Sequence, residues 1–426
     1  MPESDFVAGQ ISTRLGNGPG ARLRDITIVG AVTVALSAGF VVAMQIERLP
    51  VLLSFVVTLL ILGVLYGRVP QFRSQIAKAF EANQGVAIIL LILVLASLPL
   101  VLSSNPYLIQ IAALAAIYVI MALGLNITLG YAGLLDIGFA VYYGAGAYTS
   151  AQFAIHFGTS FWLGLLLGGL SAAFFGFLVA WPALRVRDHY LGLVTLGYGL
   201  MMNLLARNMY FLTNGTDGVI NIPPPIIGSH EFTQPLNLGW VILPFQANFY
   251  YLAVALALVA AFVNYRLRQS RLGRAWDAIR EDEIAARCSG VNATGLKILA
   301  FTCGAFFGGV GGATYAHMIG FISPDSFTFN ESITILVMVV LGGAGNILGV
   351  AIGAVLLVVL PERFREFDNL RLLLFGAALV LLMINRPQGL FPRQRIRRAL
   401  PAGIVASLLV RAQNGPAETV AIESRD

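Results

Sequence analysis

The chain of 426 residues is 58% hydrophobic and only 11% charged, with a mean hydropathy of +0.80 and a formal net charge of +6. A soluble domain carries roughly 25% charged residues, so this composition excludes a water-facing globular protein and calls for a bilayer around much of the surface. The basic residues lie between hydrophobic runs, which points to membrane topology and away from nucleic acid as the origin of the positive charge.

A membrane-crossing helix takes about 20 apolar residues. Behind a polar, Arg-containing start, apolar segments follow at 26–44, 49–66, 86–102, 107–129, 134–153, 161–181, 189–205, 249–265, 298–319, 333–360 and 372–385. The first reads as an uncleaved helix and not as a signal peptide. Residues 82–135 and 137–184 contain no Asp, Glu, Lys or Arg, so each run has room for two helices. Helix rather than strand follows from run length and from the need to satisfy backbone polar groups within each segment. The stretch 333–360 is interrupted by Leu341-Gly342-Gly343-Ala344-Gly345-Asn346, which predicts two short helices joined by a tight Gly turn. The expected fold is all-α: a polytopic transmembrane bundle of about 10–11 membrane segments, some broken or re-entrant. Its expected divisions are an N-terminal tail (1–25), an extension with two membrane helices (26–85), a core (86–391) and a C-terminal tail (392–426).

Placing both termini in the cytoplasm concentrates the positive charge on the cytoplasmic side. Only Arg48, Arg207, Arg363, Arg365 and Arg371 of the 27 Lys and Arg then fall elsewhere, as the positive-inside rule requires. Two long polar stretches remain. Residues 213–248 face outward, lack Lys and Arg, and contain Pro223-Pro224-Pro225. Residues 270–295 face inward and are highly charged. Trp276, Ile279, Ile284 and Cys288 recur there near helical spacing, with Arg274, Asp277, Arg280, Glu281 and Asp282 between them. That pattern predicts a short amphipathic helix at the membrane surface, turning near Glu283; by spacing alone, a docking element and a solvated loop helix are both open.

The residues also carry a resemblance. Gly273-Arg274-Ala275, Ile279-Arg280-Glu281-Asp282-Glu283-Ile284-Ala285-Ala286 and Gly290-Val291-Asn292 together resemble the coupling segment of the branched-chain amino acid permeases of ABC importers. Four further strings match the same family in order: Asn126-Ile127-Thr128-Leu129-Gly130-Tyr131-Ala132-Gly133, Gly144-Ala145-Gly146-Ala147-Tyr148, Thr213-Asn214-Gly215-Thr216-Asp217-Gly218 and Arg386-Pro387-Gln388-Gly389-Leu390-Phe391. Residues 86–391 are covered. The resemblance implies a multi-pass protein of a bacterial inner membrane. Its partners would be a sister permease, two cytoplasmic ABC ATPases, a periplasmic substrate-binding protein and membrane lipid, with no nucleic acid. No G-x-x-x-x-G-K-[ST] phosphate loop occurs; the chain would bind no cofactor of its own, and ATP would be used by the partner subunits. ATPase coupling would then fall to Arg274, Arg280, Glu281, Asp282, Glu283, Ala285, Ala286 and Gly290. The alternatives are a permease for urea, amides or aromatic acids and, in another class, a proton-coupled secondary transporter.

Several residues are candidates for the transport path. Asp136 is the one acidic residue that the sequence sets well inside an apolar region. It would cap a helix beginning after a break at Gly130–Gly133, or contact a proton or substrate. The family more often has Gln and Ser where Leu134 and Asp136 stand. Leu341-Gly342-Gly343-Ala344-Gly345 repeats the spelling of Leu129 to Gly133, and paired breaks point to a path in many transporters, although short Gly strings also arise from packing. Path candidates are therefore Asn126, Gly130, Tyr131, Gly133, Asp136, Gly342, Gly343, Gly345 and Asn346, while the Gly run at 308–312 reads as packing. Asp217 and Asp325 are candidate contacts for a binding protein. No paired carboxylates, nucleophile–base set or metal spacing of Cys288 and Cys303 is visible, so no catalytic or metal residue is assigned.

Overall fold

The structure, a computed structural model, describes residues 83–184, 188–228, 230–237, 242–363 and 389–391, with the single positions 27, 30, 39, 376 and 380, all in one unit, Met1–Pro392. Apart from those single positions, the predicted segments 26–44, 49–66 and 372–385, both tails and Arg386, Pro387 and Gln388 lie outside the described residues.

Helices α1 (Gln84–Val101), α2 (Pro106–Leu125), α3 (Ala140–Phe157), α4 (Phe161–Ala183) and α5 (Asp188–Asn208) come first. After the polar stretch follow α6 (Gln246–Gln269), α7 (Arg271–Glu281), α8 (Glu283–Cys288), α9 (Ala293–Ile319), α10 (Phe329–Gly342) and α11 (Ile347–Arg363). Strand structure among the described residues is confined to two-residue antiparallel pairs, one of which joins Val219–Ile220 to Phe321–Ile322. This is an all-α polytopic membrane protein. Pro106–Tyr131, Phe161–Ala183, Gln246–Gln269, Ala293–Ile319 and Pro324–Gly342 are each long and apolar enough to cross a bilayer.

Two elements differ from the expected spans. Helix α2 does not stop at residue 129 but widens into a π-helical turn, Asn126–Tyr131. The next helix starts at Ala140, so 134–139 of the predicted span 134–153 are not helical. The reason is local satisfaction of backbone groups. Asp136 Oδ1 accepts from the Gly138 N–H at 3.0 Å, and Ile137 N–H donates to Thr195 Oγ1 of α5 at 3.0 Å. With those donors paired, irregular backbone is tolerated inside a protein-lined membrane region. The segment 333–360 divides as predicted into α10 and α11, joined at Gly343–Asn346.

The core forms where α9 meets α2, α3 and α4 through glycines. A Cβ at Gly312 would lie 2.0 Å from the Tyr143 carbonyl oxygen, and one at Gly146 would lie 2.3 Å from Gly309 Cα. Apolar surface gains little from burial against apolar lipid, so such close backbone approach supplies the attraction between helices. The glycine run thus packs, as its composition implies. On the far side of α4, Trp162, Leu166, Leu170, Phe174 and Trp181 are exposed at helical spacing, an apolar stripe suited to lipid.

Helix α9 also gives the molecule two distinguishable ends. Segment 271–290 precedes it at one end, and the loop carrying Phe321–Ile322 follows at the other. At this loop end His317 is buried between Ser150 Oγ at 2.9 Å and the Pro223 carbonyl oxygen at 2.6 Å. The histidine ties the proline run to α3.

Candidate functional site

The charged surface stretch forms two short helices with a sharp corner. Ser270 caps α7, its Oγ accepting from Gly273 N–H. Trp276 and Ile279 are buried, and Trp276 Nε1 donates to the Leu296 carbonyl at 2.8 Å, seating α7 on the start of α9. Asp282 is extended (φ −156°, ψ 109°) and caps α8 by accepting from Ala285 N–H at 3.0 Å. The predicted turn therefore falls at Asp282, because an Asp that leaves helical geometry satisfies the first free donors of the next helix. Arg274, Glu281, Asp282, Ala285 and Cys288 are exposed, and Ile284 is 76% exposed, while Ala286 is buried beneath them. Gly290 follows at φ 83° as the chain turns toward α9.

Glu283 sits under the corner, paired with Arg287 at 2.6 Å and with the buried Lys297 of α9. Partial burial pushes its carboxyl up, but the hydrogen bonds and charges of Lys297 and Arg287 outweigh that and hold it below its ordinary value of 4.5. A depressed carboxyl stabilises the fold above its unfolded value and loses that contribution as pH falls through the folded one. Limited proteolysis of segment 271–290 is therefore expected to accelerate below about pH 4.5, and a Glu283→Gln variant should cleave at the faster rate already at neutral pH. Equal, pH-independent cleavage of both proteins would contradict the clamp.

The two glycine breaks lie against each other, and the corner helix reaches them. The Arg280 guanidinium points inward and donates to the Gly130 carbonyl oxygen in the π-helical turn. Its stem covers Gly133, where a Cβ would lie 2.7 Å from Arg280 Cγ. Asn126, fully buried on the same turn, accepts through Oδ1 from the Gly345 N–H at 2.7 Å, across 219 positions of sequence. Gly130 faces that bond closely: a Cβ there would stand 2.1 Å from Asn126 Oδ1 and 2.6 Å from Gly345 N. The second break turns through positive φ at Gly343 (106°) and Gly345 (91°). Leu390 and Phe391 N–H groups donate to the Leu341 and Gly342 carbonyls at 2.7 and 3.2 Å, and Asn346 Nδ2 reaches the Phe391 carbonyl. Gly342 itself packs on Gly349, and Tyr131 is buried in the core.

The acidic candidates scatter. Asp136 is fully buried beside Tyr142, with Oδ1 turned onto Gly138 as a local cap rather than as the cap of α3 itself, whose first turn starts after Phe139. At the loop end, Asp217 is exposed, and Asp325 is ion-paired with Arg207. Asp136 is not the one buried-region acid after all. Glu331, which sequence reasoning passed over, accepts a 2.7 Å hydrogen bond from Tyr118 Oη of α2. Its polar neighbours Asn330 and Ser332 make a segment end in the sequence; the one available signal was that a helix-length apolar run follows directly.

Broken helices stitched at paired glycines, with an amphipathic corner helix hydrogen-bonded to the first break, make up a polytopic membrane protein. The comparisons identify which kind. Residues 107–410 match the family described as branched-chain amino acid transport system / permease component, and the chain belongs to that family. It is 38% identical over 349 residues to the high-affinity branched-chain amino acid transport system permease protein LivM of Escherichia coli, covering 78% of this chain and 81% of that one. The LivM of Salmonella typhimurium is 39% identical over the same length and shares. LivH, another high-affinity branched-chain amino acid transport system permease protein of Salmonella typhimurium, is 26% identical over 298 residues, 67% of this chain and 94% of its own. No solved structure matches significantly.

Proposed function

We propose that this chain is the permease subunit of an ABC importer for branched-chain amino acids, working in a bacterial inner membrane with both termini in the cytoplasm. Separate ATPase subunits dock on the exposed side of α7 and α8, a sister permease completes the path, and a periplasmic binding protein delivers solute at the loop end. Residues 86–391 act as the core, and 26–85 are peripheral to it. The observation that carries this reading is the bond from Arg280 to the Gly130 carbonyl. A helix exposed on one side and bonded to a broken membrane helix on the other is a lever. ATP-driven motion of α7 and α8 tilts the π-helical turn, and the Asn126–Gly345 bond carries the tilt to the α10–α11 turn. Opening and closing of the path at the two breaks follows. The exposed Ile284 is the apolar contact for the ATPase, and the exposed Arg274, Glu281 and Asp282 of the same segment supply its charged contacts.

The test is co-purification of the detergent-solubilised chain from native membranes with mass-spectrometric identification of its companions. Two ATPases and a second permease are expected, with the ATPases lost at least tenfold from Ile284→Asp and the second permease kept. A chain that purifies alone and moves solute under a proton gradient without ATP would overturn the importer reading.

A further inference from the structure

Glu331 stands at a depth that its sequence position conceals. Its partner Tyr118 is 12 residues from the start of α2 at Pro106 and 13 from the end of the π-helical turn at Tyr131. At 1.5 Å per residue, Tyr118 lies roughly 18 Å from either end, the middle of a hydrocarbon core about 30 Å thick. Helix α10 therefore begins inside the membrane rather than at its surface. The stretch Pro324–Phe327 descends to it, packed through Phe327 against Tyr143, with ring centroids 4.8 Å apart.

Around the carboxylate the chain gathers tyrosines from three helices. Tyr143 of α3 and Tyr315 of α9 lie with ring centroids 5.4 Å apart and are hydrogen-bonded to each other, and Tyr315 also bonds Ser326. Tyr118, Tyr315 and Glu331 are half-buried, so the cluster is not sealed within the subunit. Among the described residues no Lys, Arg or His pairs with Glu331. A charge at this depth is costly, and such residues face a cavity or partner. One phenol hydrogen bond is a weak partner for a carboxylate, whereas a cation between the carboxylate and tyrosine rings gains from both.

We propose that Glu331, flanked by Tyr118 and Tyr315, is a mid-membrane subsite that holds the ammonium group of an amino acid in transit. The inference rests on the amino-acid importer reading and names the part of the path that recognises the solute's charge. Tyr118 keeps the carboxylate in place between passages, and the incoming ammonium takes its position on the carboxylate. The aliphatic side chain then lies along the apolar walls of α2 and α10.

The experiment uses the complete importer reconstituted in proteoliposomes with its ATPases and leucine-loaded binding protein, measuring leucine uptake per ATP hydrolysed. Glu331→Gln is expected to lower that ratio at least tenfold. Tyr118→Phe, which breaks the same hydrogen bond but leaves the charge, should lose at least fivefold less than Glu331→Gln. Equal losses in the two variants would make the bond structural and overturn the subsite. So would failure of Glu331→Gln alone to assemble with the sister permease, which would make Glu331 an interface ion. If the unaltered importer carries no branched-chain amino acid, the functional reading fails instead. Uptake by Glu331→Gln equal to the unaltered protein, in an importer that works, overturns the subsite alone.

Discussion

Replacing Arg280 with alanine is expected to cut solute uptake tenfold to a hundredfold while the ATPase subunits stay bound and continue to hydrolyse ATP. Arg280 is exposed, like Arg274 and Glu281 of the same short helix, yet its guanidinium reaches back to the bundle and donates to the Gly130 carbonyl. Hydrogen bonds to charged groups contribute about 1.5–3 kcal/mol, which corresponds to that loss if the bond is what carries motion into the bundle. The rest of the anchorage, Trp276 to Leu296 and Glu283 to Lys297, survives the substitution, so α7 and α8 remain folded and able to dock. Arg280→Lys should recover only part of the loss, since an ammonium lacks the planar fork of the guanidinium. The measurement is the ratio of uptake to ATP hydrolysis in proteoliposomes. An unchanged ratio in the alanine variant would remove Arg280 from the lever, and loss of the ATPases would make it a docking residue instead.

Gly130→Ala should lower both stability and uptake, because the added methyl group falls on the contact between the two breaks. Its Cβ would stand 2.6 Å from Gly345 N, and backbone cannot retreat as a flexible side-chain end can. Either the Asn126–Gly345 bond breaks or α2 and the α10–α11 turn move apart. Overpacking of this kind costs about 1–3 kcal/mol, and losing the bond leaves the buried Gly345 N–H without its partner at a similar cost. Gly197→Ala in α5 is the control, because nothing lies within 4 Å of a Cβ there and alanine is favoured over glycine in a helix by about 1 kcal/mol. Thermal unfolding of the purified chain should therefore fall by several degrees for Gly130→Ala and hold or rise for Gly197→Ala, with uptake reduced at least tenfold only in the former. Equal melting and uptake for the two variants would deny any special contact at Gly130.

Much of the architecture was legible in the amino-acid order because it is local. Run lengths of apolar residues mark the membrane helices, Trp276 and Ile279 at helical spacing mark the surface helix, and an Asp before Glu283 marks its corner. The glycine strings at Leu129–Gly133 and Leu341–Gly345 announce breaks for the same reason: residues without side chains weaken helix within a few positions. One boundary was misread. Residues 134–139 are apolar enough for helix, but Thr195, from a different helix, satisfies the Ile137 N–H and lets the backbone leave helical form.

The sequence by itself determined a multi-helical membrane protein with an amphipathic charged segment and two glycine breaks. Tertiary structure alone decided that the breaks touch, that Arg280 reaches the Gly130 carbonyl while Arg274 bonds only within its own segment, and that Glu331 meets Tyr118 half-way along α2. Periodicity reports which face of a helix is apolar, because one residue's environment repeats along that helix. It carries no record of which distant helix supplies the neighbour, nor of how deep a helix begins. Those are set by close packing of glycine-lined backbones, such as Gly312 against Tyr143, between segments far apart in the chain.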